Sequence, residues 1–216
     1  MKTKTIVFDL DDTLIKEIDY LKSAFMEISR IVNSEDENLF QQMMNWYFKK
    51  ENVFQNLVDL YPNNNIMSLR TVYRNHFPDF DSNTKVKEFL VELKERGFVL
   101  GLITDGYKVT QRNKIKALDI ELLFDLIIIS EEFGSEKPNL KNYEIFHQFN
   151  TNEYYYIGDN VNKDFITPNS LGWNTVCLID NGYNIHKQDF EKDILYLPQI
   201  SILNLLELNK HLKLLK

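Results

Sequence analysis

Three aspartates, Asp9, Asp11 and Asp12, crowd into four positions directly after the apolar run TIVF. Further along, Thr104 and Asp105 follow FVLGLI, Lys137 lies in GSEKP, and Asp159 closes YYYIGD with Asp164 five residues on. Carboxylates gathered in a partly dry cleft repel, so either one is protonated or a cation sits among them. Ligands that are all oxygen favour Mg²⁺, which binds through one or two carboxylates together with waters and phosphate oxygens. A lysine and a hydroxyl beside them suit the phosphate itself. This set of residue types is the equipment of phosphoryl transfer, in which a metal and a lysine offset charge on the moving group.

Such chemistry needs rigid placement, and the chain carries the elements to supply it. Short runs, apolar on both faces, occur at residues 4–10, 98–104, 124–130, 154–159 and 174–180, which is how central strands of a parallel sheet read. Helical patterns at 85–96 (closed by Gly97), 107–118, 140–149 and 162–171 alternate with them. A last strand is expected at 194–197 and a C-terminal helix from about Gln199. The alternation predicts an α/β fold, a doubly wound, Rossmann-like parallel sheet. In open sheets of this kind ligands bind beyond the carboxyl ends of the strands, where every residue named above is expected.

One interval breaks the rhythm. From about residue 15 to 80 no convincing strand occurs; helices are expected at 21–32, 35–50, 52–60 and 66–76, broken by YPNNN at 61–65 and closed by FPDFDSN at 77–83. This predicts a helical cap domain at 15–83, inserted after the first strand of a catalytic core formed by 1–14 and 84–216. Most of the aromatics Phe40, Trp46, Tyr47, Phe48 and Phe54 read as cap core.

Bulk properties narrow the class. The chain has 216 residues, 26% of them charged, with a net charge of −7. It shows no basic stripe with interleaved aromatics, so a nucleic-acid partner is not expected. The single Cys177 excludes an internal disulfide and reads as a small core residue. No apolar run approaches the roughly 20 residues of a membrane span, and MKTKTIVF is interrupted at Asp9, short of an export signal. The expectation is a cytoplasmic protein acting on a small phosphorylated metabolite, with no membrane partner; the oligomeric state is left open.

The four motifs together carry a specific resemblance. FDLDDTL, LITDG, EKP and IGDNVNKD resemble, in order, the four motifs of the haloacid-dehalogenase-like hydrolase superfamily, and the helical insertion resembles its C1-type cap. The segments between them are similar to those of capped phosphatases acting on sugar phosphates, acylneuraminate 9-phosphate or nucleotides. The resemblance implies that Asp9 is the nucleophile, forming an aspartyl-phosphate, and that Asp11 is the general acid and then base. It implies Mg²⁺ held by the Asp9 carboxylate, the Asp11 backbone carbonyl and the Asp159 carboxylate, with Asp164 orienting Lys137 or a metal-bound water. Thr104, through its hydroxyl, and Asp105, through its backbone N–H, would bind phosphate oxygens, and Lys137 would neutralise charge.

Asp11 argues against dehalogenation, because a departing halide needs no proton. Thr13 leans toward phosphatase over phosphomutase. A sugar phosphomutase remains the alternative, and a phospho-acceptor switch without turnover is a more distant one. Asp12 has no assigned role beyond capping the turn into the cap. Specificity falls to the cap, where Lys16, Glu17, Tyr20, Lys49, Arg70 and Arg74 are unranked candidates.

Overall fold

The structure, a computed structural model, describes residues 4–80 and 84–212. The end of the expected break at 77–83 and the last residues of the chain lie outside that range. Six parallel strands form one sheet: β1 (Lys4–Phe8), β2 (Val99–Thr104), β3 (Leu126–Ile129), β4 (Glu153–Gly158), β5 (Asn174–Leu178) and β6 (Ile200–Ile202). Their order is β3-β2-β1-β4-β5-β6. The chain steps outward from β1 to β3, then returns to the other side of β1 with β4. That reversal is the switch point at which a crevice opens above the strand ends.

The apolar runs are continuous because both faces of the sheet are covered. Side chains alternate along a strand, so Ile6 and Phe8 of β1 join one core with Leu100, Leu102, Tyr155 and Ile157. Val7, Ile103, Tyr156 and Cys177 join the opposite one, with Tyr143, Phe146, Phe165 and Trp173. The first core is closed by α5 (Thr84–Glu95), whose Val86, Phe89, Leu90 and Leu93 face the sheet. Gly97, at φ 83°, ends that helix by turning the backbone left-handed, and Phe98 N–H returns to the Leu93 carbonyl at 3.2 Å.

Between β1 and β2 lie α1 (Glu17–Val32), α2 (Leu39–Phe48), α3 (Val53–Leu60) and α4 (Ile66–Asn75). Ile18, Leu21, Phe25 and Ile28 recur at helical spacing on α1 and bury against Leu39, Met43, Leu57 and Leu69. The helical insert therefore has a core of its own. Asn52 and Asn65 stop the chain between helices by capping α3 and α4, accepting from Gln55 N–H at 3.2 Å and Ser68 N–H at 2.8 Å. Phe40, Trp46, Tyr47 and Phe54 pack against this core, whereas Phe48 does not: it stands 66% exposed at the end of α2. The insert is tied down where it rejoins the sheet. His76 bonds Ser23 Oγ at 2.7 Å and Glu27, both on α1, and Asn113 Nδ2 donates to the Asn75 carbonyl at 3.0 Å.

The remaining helices are α6 (Lys108–Ala117), α7 (Ser130–Phe133), α8 (Lys141–Glu144), α9 (Ile166–Ser170) and α10 (Leu208–His211). No helix among the described residues is long and apolar enough to cross a membrane. Four expectations are corrected. The strand expected at 194–197 is a tight 3-10 turn over Ile194–Tyr196, because the Asp193 carboxylate takes the Leu195 N–H at 3.0 Å and caps it. The sixth strand is Ile200–Ile202 instead, paired with Val176–Leu178, so the C-terminal helical turns begin only at Leu205. The helix expected at 162–171 shrinks to α9, since the Asp164 carboxylate takes the N–H groups of Asp159 and Asn160 and holds the chain in a turn. The helix expected at 140–149 starts as α8 and tightens to a 3-10 turn over Ile145–Phe149.

Candidate active site

Asp9 is the first residue beyond β1. Its N–H still bonds the Ile157 carbonyl of β4 at 2.8 Å, so the sheet ladder fixes its backbone. The chain then folds tightly: the N–H groups of Thr13, Leu14 and Ile15 all converge on the Leu10 carbonyl. Asp12 makes that turn possible. It sits at φ 58°, a left-handed conformation that aspartate tolerates better than most residues. Its carboxylate accepts from Glu17 N–H, at the start of α1, and from Ile185 N–H, each at 3.0 Å. Asp12 is thus the structural member of the three, joining the insert to the loop after β5.

Lys137 forms the centre of the site. Its side chain is 1% exposed, and Nζ lies 2.6 Å from Asp9 Oδ1, 2.8 Å from Asp164 Oδ1 and 3.2 Å from the Tyr156 hydroxyl. Burial alone would lower its pKa, but Asp164 and Asp9 outweigh burial and raise it well above the ordinary value, so the ammonium is permanent. Asp164 is fully buried, and its Oδ2 takes the N–H groups of Asp159 at 3.2 Å and Asn160 at 2.8 Å. Gly158 permits this approach: a Cβ there would meet Asp164 Oδ2 at 2.5 Å.

Asp9, Asp159 and Asp164 each present a carboxylate oxygen within 4.8 Å of the others, an arrangement able to hold a metal ion. Burial is the main cause that pushes Asp9 up to about 7, with Asp164 adding to it and Lys137 opposing. Burial, then Asp9 and Asp164, push Asp159 up to about 9. Were all three carboxylates ionised, one lysine would leave two negative charges uncompensated; burial favours protons on Asp9 and Asp159 instead, and a divalent cation would take the place of those protons. The all-oxygen donor set fits Mg²⁺.

Asp11 takes no part in this cluster through its side chain. Lys114 Nζ of α6 donates to Asp11 Oδ1 at 2.6 Å, and Gln111 Nε2 donates to Asp11 Oδ2 at 2.8 Å. The same amide reaches the Thr104 hydroxyl at the end of β2, which keeps its own proton free to donate. Asp105 uses its carboxylate structurally, accepting from Lys137 N–H at 3.0 Å and Lys163 Nζ at 2.7 Å. The neighbouring Gly106 N–H is taken by Ser130 Oγ at 2.9 Å. A cavity of about 110 Å³ is lined by Asp9, Asp11, Thr104, Asp105, Asp159 and Lys163, among others.

Asp9, Asp11, Thr104, Asp105, Lys137, Asp159 and Asp164 therefore meet at one sheet edge, whereas Lys49, a cap candidate, ends α2 exposed and lines neither cavity there; several participants went unnoticed. Gln111 and Lys114 are both 2% exposed and stand one turn apart on α6. Two polar residues at that spacing on an inward face were the available signal. Lys163 and Asn184 were missed as well; Asn184 Nδ2 donates to Asp159 Oδ2 at 2.8 Å and its Oδ1 accepts from Lys16 Nζ. His186, given no role from sequence, lines the same cavity.

Comparison with known proteins agrees with this geometry. The haloacid dehalogenase-like hydrolase family matches residues 6–178. A glyceraldehyde 3-phosphate phosphatase of Methanocaldococcus jannaschii is 30% identical over 88% of this chain and 91% of its own. The pyrophosphatase PpaX of Bacillus mycoides is 25% identical over 82% of this chain and 84% of its own. Among solved structures, the HAD-hydrolase YfnB from Bacillus subtilis, bound to magnesium, superposes with a TM-score of 0.67 at 17% identity, over 99% of this chain and all of that one. With the α/β sheet, the helical insert after β1 and the carboxylate–lysine site, the chain belongs to the haloacid dehalogenase-like hydrolases, as a phosphatase of that family.

Proposed function

We propose that the chain is a Mg²⁺-dependent phosphomonoesterase that hydrolyses a small sugar phosphate or similar ester through a phosphorylated Asp9. The observation that carries the reading is the placement of Lys137 between Asp9 and Asp164, with Asp159 beside them. A carboxylate so held is oriented by one cation and has its second oxygen available to attack. The relatives named for triose phosphate hydrolysis support a substrate of that size. A cavity of about 310 Å³ adjoins the catalytic one, sharing Asp11, Glu17 and Asp105, and would hold little more than a small sugar.

The steps follow from the side chains. An Asp9 oxygen attacks phosphorus; the ester P–O bond breaks, and the leaving oxygen takes a proton from Asp11. Lys114 and Gln111 hold the Asp11 carboxyl in one direction for this transfer. Asp11 then accepts a proton from water as the water oxygen attacks phosphorus, and the bond to Asp9 breaks. Thr104 donates its hydroxyl to a phosphate oxygen, the Asp105 backbone N–H serves another, and Lys137 offsets charge on the nucleophile. Mg²⁺, held by Asp9, the Asp11 carbonyl and Asp159, would supply positive charge to the phosphoryl oxygens. Asp164 would hold Lys137 in place. The insert at 15–83 would act as a cap over the core at 1–14 and 84–216, in a protein working in the cytoplasm.

Purified protein assayed on an aryl phosphate should lose activity in EDTA and regain it with Mg²⁺. Full activity in chelator would overturn the metal-dependent reading. Isomerisation of a sugar phosphate without release of inorganic phosphate would establish a phosphomutase instead.

A further inference from the structure

The larger cavity has an uneven wall. On the sheet side lie Asp11, Gln111 and Lys114, with Glu17 at the start of α1 beside them, and Lys114 is already committed to Asp11 with its ammonium 4.6 Å above the Tyr20 ring. Glu17 shares its surroundings with Asp11, Lys114 and Asp12. On the insert side, α4 contributes Arg70 and Arg74, one helical turn apart. Neither guanidinium has an ion-pair or hydrogen-bond partner among the described residues; Arg74 makes a cation–ring contact with Tyr107, 4.0 Å from its centroid.

Two like charges at this spacing on a helix repel, and α4, with sequence IMSLRTVYRN, carries no acidic residue to relieve them. In a chain with 32 acidic and 25 basic residues, an unpaired arginine pair facing a cleft is notable. Arg74 gains from its place in the last turn, where the helix dipole favours a cation; Arg70, mid-helix, gains nothing from it. Both are exposed residues that line a space continuous with the catalytic cavity through Asp11, Glu17 and Asp105. Arg74 is also held in position. Its carbonyl accepts from Thr110 Oγ1 of α6 at 2.9 Å, and its guanidinium stacks on Tyr107, which precedes α6.

We propose that Arg70 and Arg74 bind a second anionic group at the far end of the substrate, so that the preferred ester is a small phosphorylated acid. This rests on the phosphomonoesterase reading above and narrows it. A guanidinium presents a planar fork that matches a carboxylate. A small phosphorylated hydroxy acid would place its phosphate at Asp9 and its carboxylate at the arginines. A neutral aldehyde or polyol phosphate would leave both arginines without a counter-charge.

The test compares two three-carbon esters, 3-phosphoglycerate and glycerol 3-phosphate, which differ at one end by carboxylate against hydroxymethyl. Wild-type kcat/KM should favour the acid by about 10- to 100-fold, the range for a charge-assisted pair in a partly open site. In the double variant Arg70→Gln/Arg74→Gln the ratio should fall to near one, chiefly through KM, and Arg74→Lys should retain part of it. Equal wild-type kcat/KM for the two esters, or a ratio that survives the double variant, overturns the proposal while leaving the phosphatase reading intact. Failure of the wild type to hydrolyse either ester or an aryl phosphate in Mg²⁺ overturns that reading, and this inference with it.

Discussion

Replacing Lys137 by Met removes the one positive charge buried between two carboxylates. The Lys137 and Asp164 side chains are 1% and 0% exposed and that of Asp9 is 8%, so water cannot replace the lost cation without opening the core. Breaking a buried pair by deleting one partner costs about 3–5 kcal/mol. For a chain of this length each kcal/mol moves the melting temperature by roughly 2–4 °C, so Lys137→Met should melt about 6–20 °C lower at pH 8. The deficit must depend on pH. Asp9 already stands at about 7 with Lys137 lowering it, and its loss pushes Asp9 higher still. A carboxyl raised in the folded state holds its proton where the unfolded chain has released it, so stability falls as pH rises. The variant should therefore recover much of its deficit at pH 5.5. Adding Asp164→Asn removes one of the stranded charges while keeping an acceptor, so the double variant should be less destabilised than the two singles summed. Thermal melts in EDTA at the two pH values check this. A shift below about 2 °C at pH 8, or a deficit independent of pH, would refute the buried-charge reasoning.

Three further outcomes follow from the same geometry. Asp12→Ala strips the acceptor from two N–H groups and puts alanine at φ 58°, which should cost about 2–5 kcal/mol by urea denaturation, with Asp12→Asn milder. Glu17, pushed up to about 7 by burial and by Asp11, becomes anionic above that pH and repels a phosphate dianion; KM should rise between pH 6 and 8.5, and Glu17→Gln should flatten the rise. Asp159, ordinarily near 3.8, stands at about 9, so in chelator stability is full at low pH and declines as pH climbs through that window. The melting-temperature gain from Mg²⁺ should accordingly grow from pH 5 to pH 9, and a constant gain would count against the carboxylate cluster as the metal site.

The sheet and its reactive edge were legible because parallel strands covered on both faces must be apolar throughout, which makes their ends easy to see. Asp9, Thr104 and Asp159 stand at or just beyond such ends, and Lys137 lies in the loop that follows α7. Lys114 was hidden among Lys108 and Lys116 on a helix with little apolar contrast, and only the approach of α6 to Asp11 distinguishes it. Asp12 reads from the sequence only as a cap on the turn into the insert; that its carboxylate also holds Ile185, far along the chain, is a long-range property. The exchange of strand for turn near the C-terminus has the same origin. ILYL and ISI are both short and apolar, and pairing with β5 decides between them. Arg70 and Arg74 were visible as cap cations, but their lack of a partner appears only once the helices are packed.

The most direct test of the proposed chemistry is to trap the covalent intermediate. Protein incubated with Mg²⁺ and a radiolabelled phosphate ester, quenched in acid and digested, should carry label on the peptide containing Asp9. That label should be released by hydroxylamine and absent from Asp9→Asn. Turnover of the ester with no acid-stable label on that peptide, or label that persists in Asp9→Asn, would contradict the assignment of Asp9 as the nucleophile.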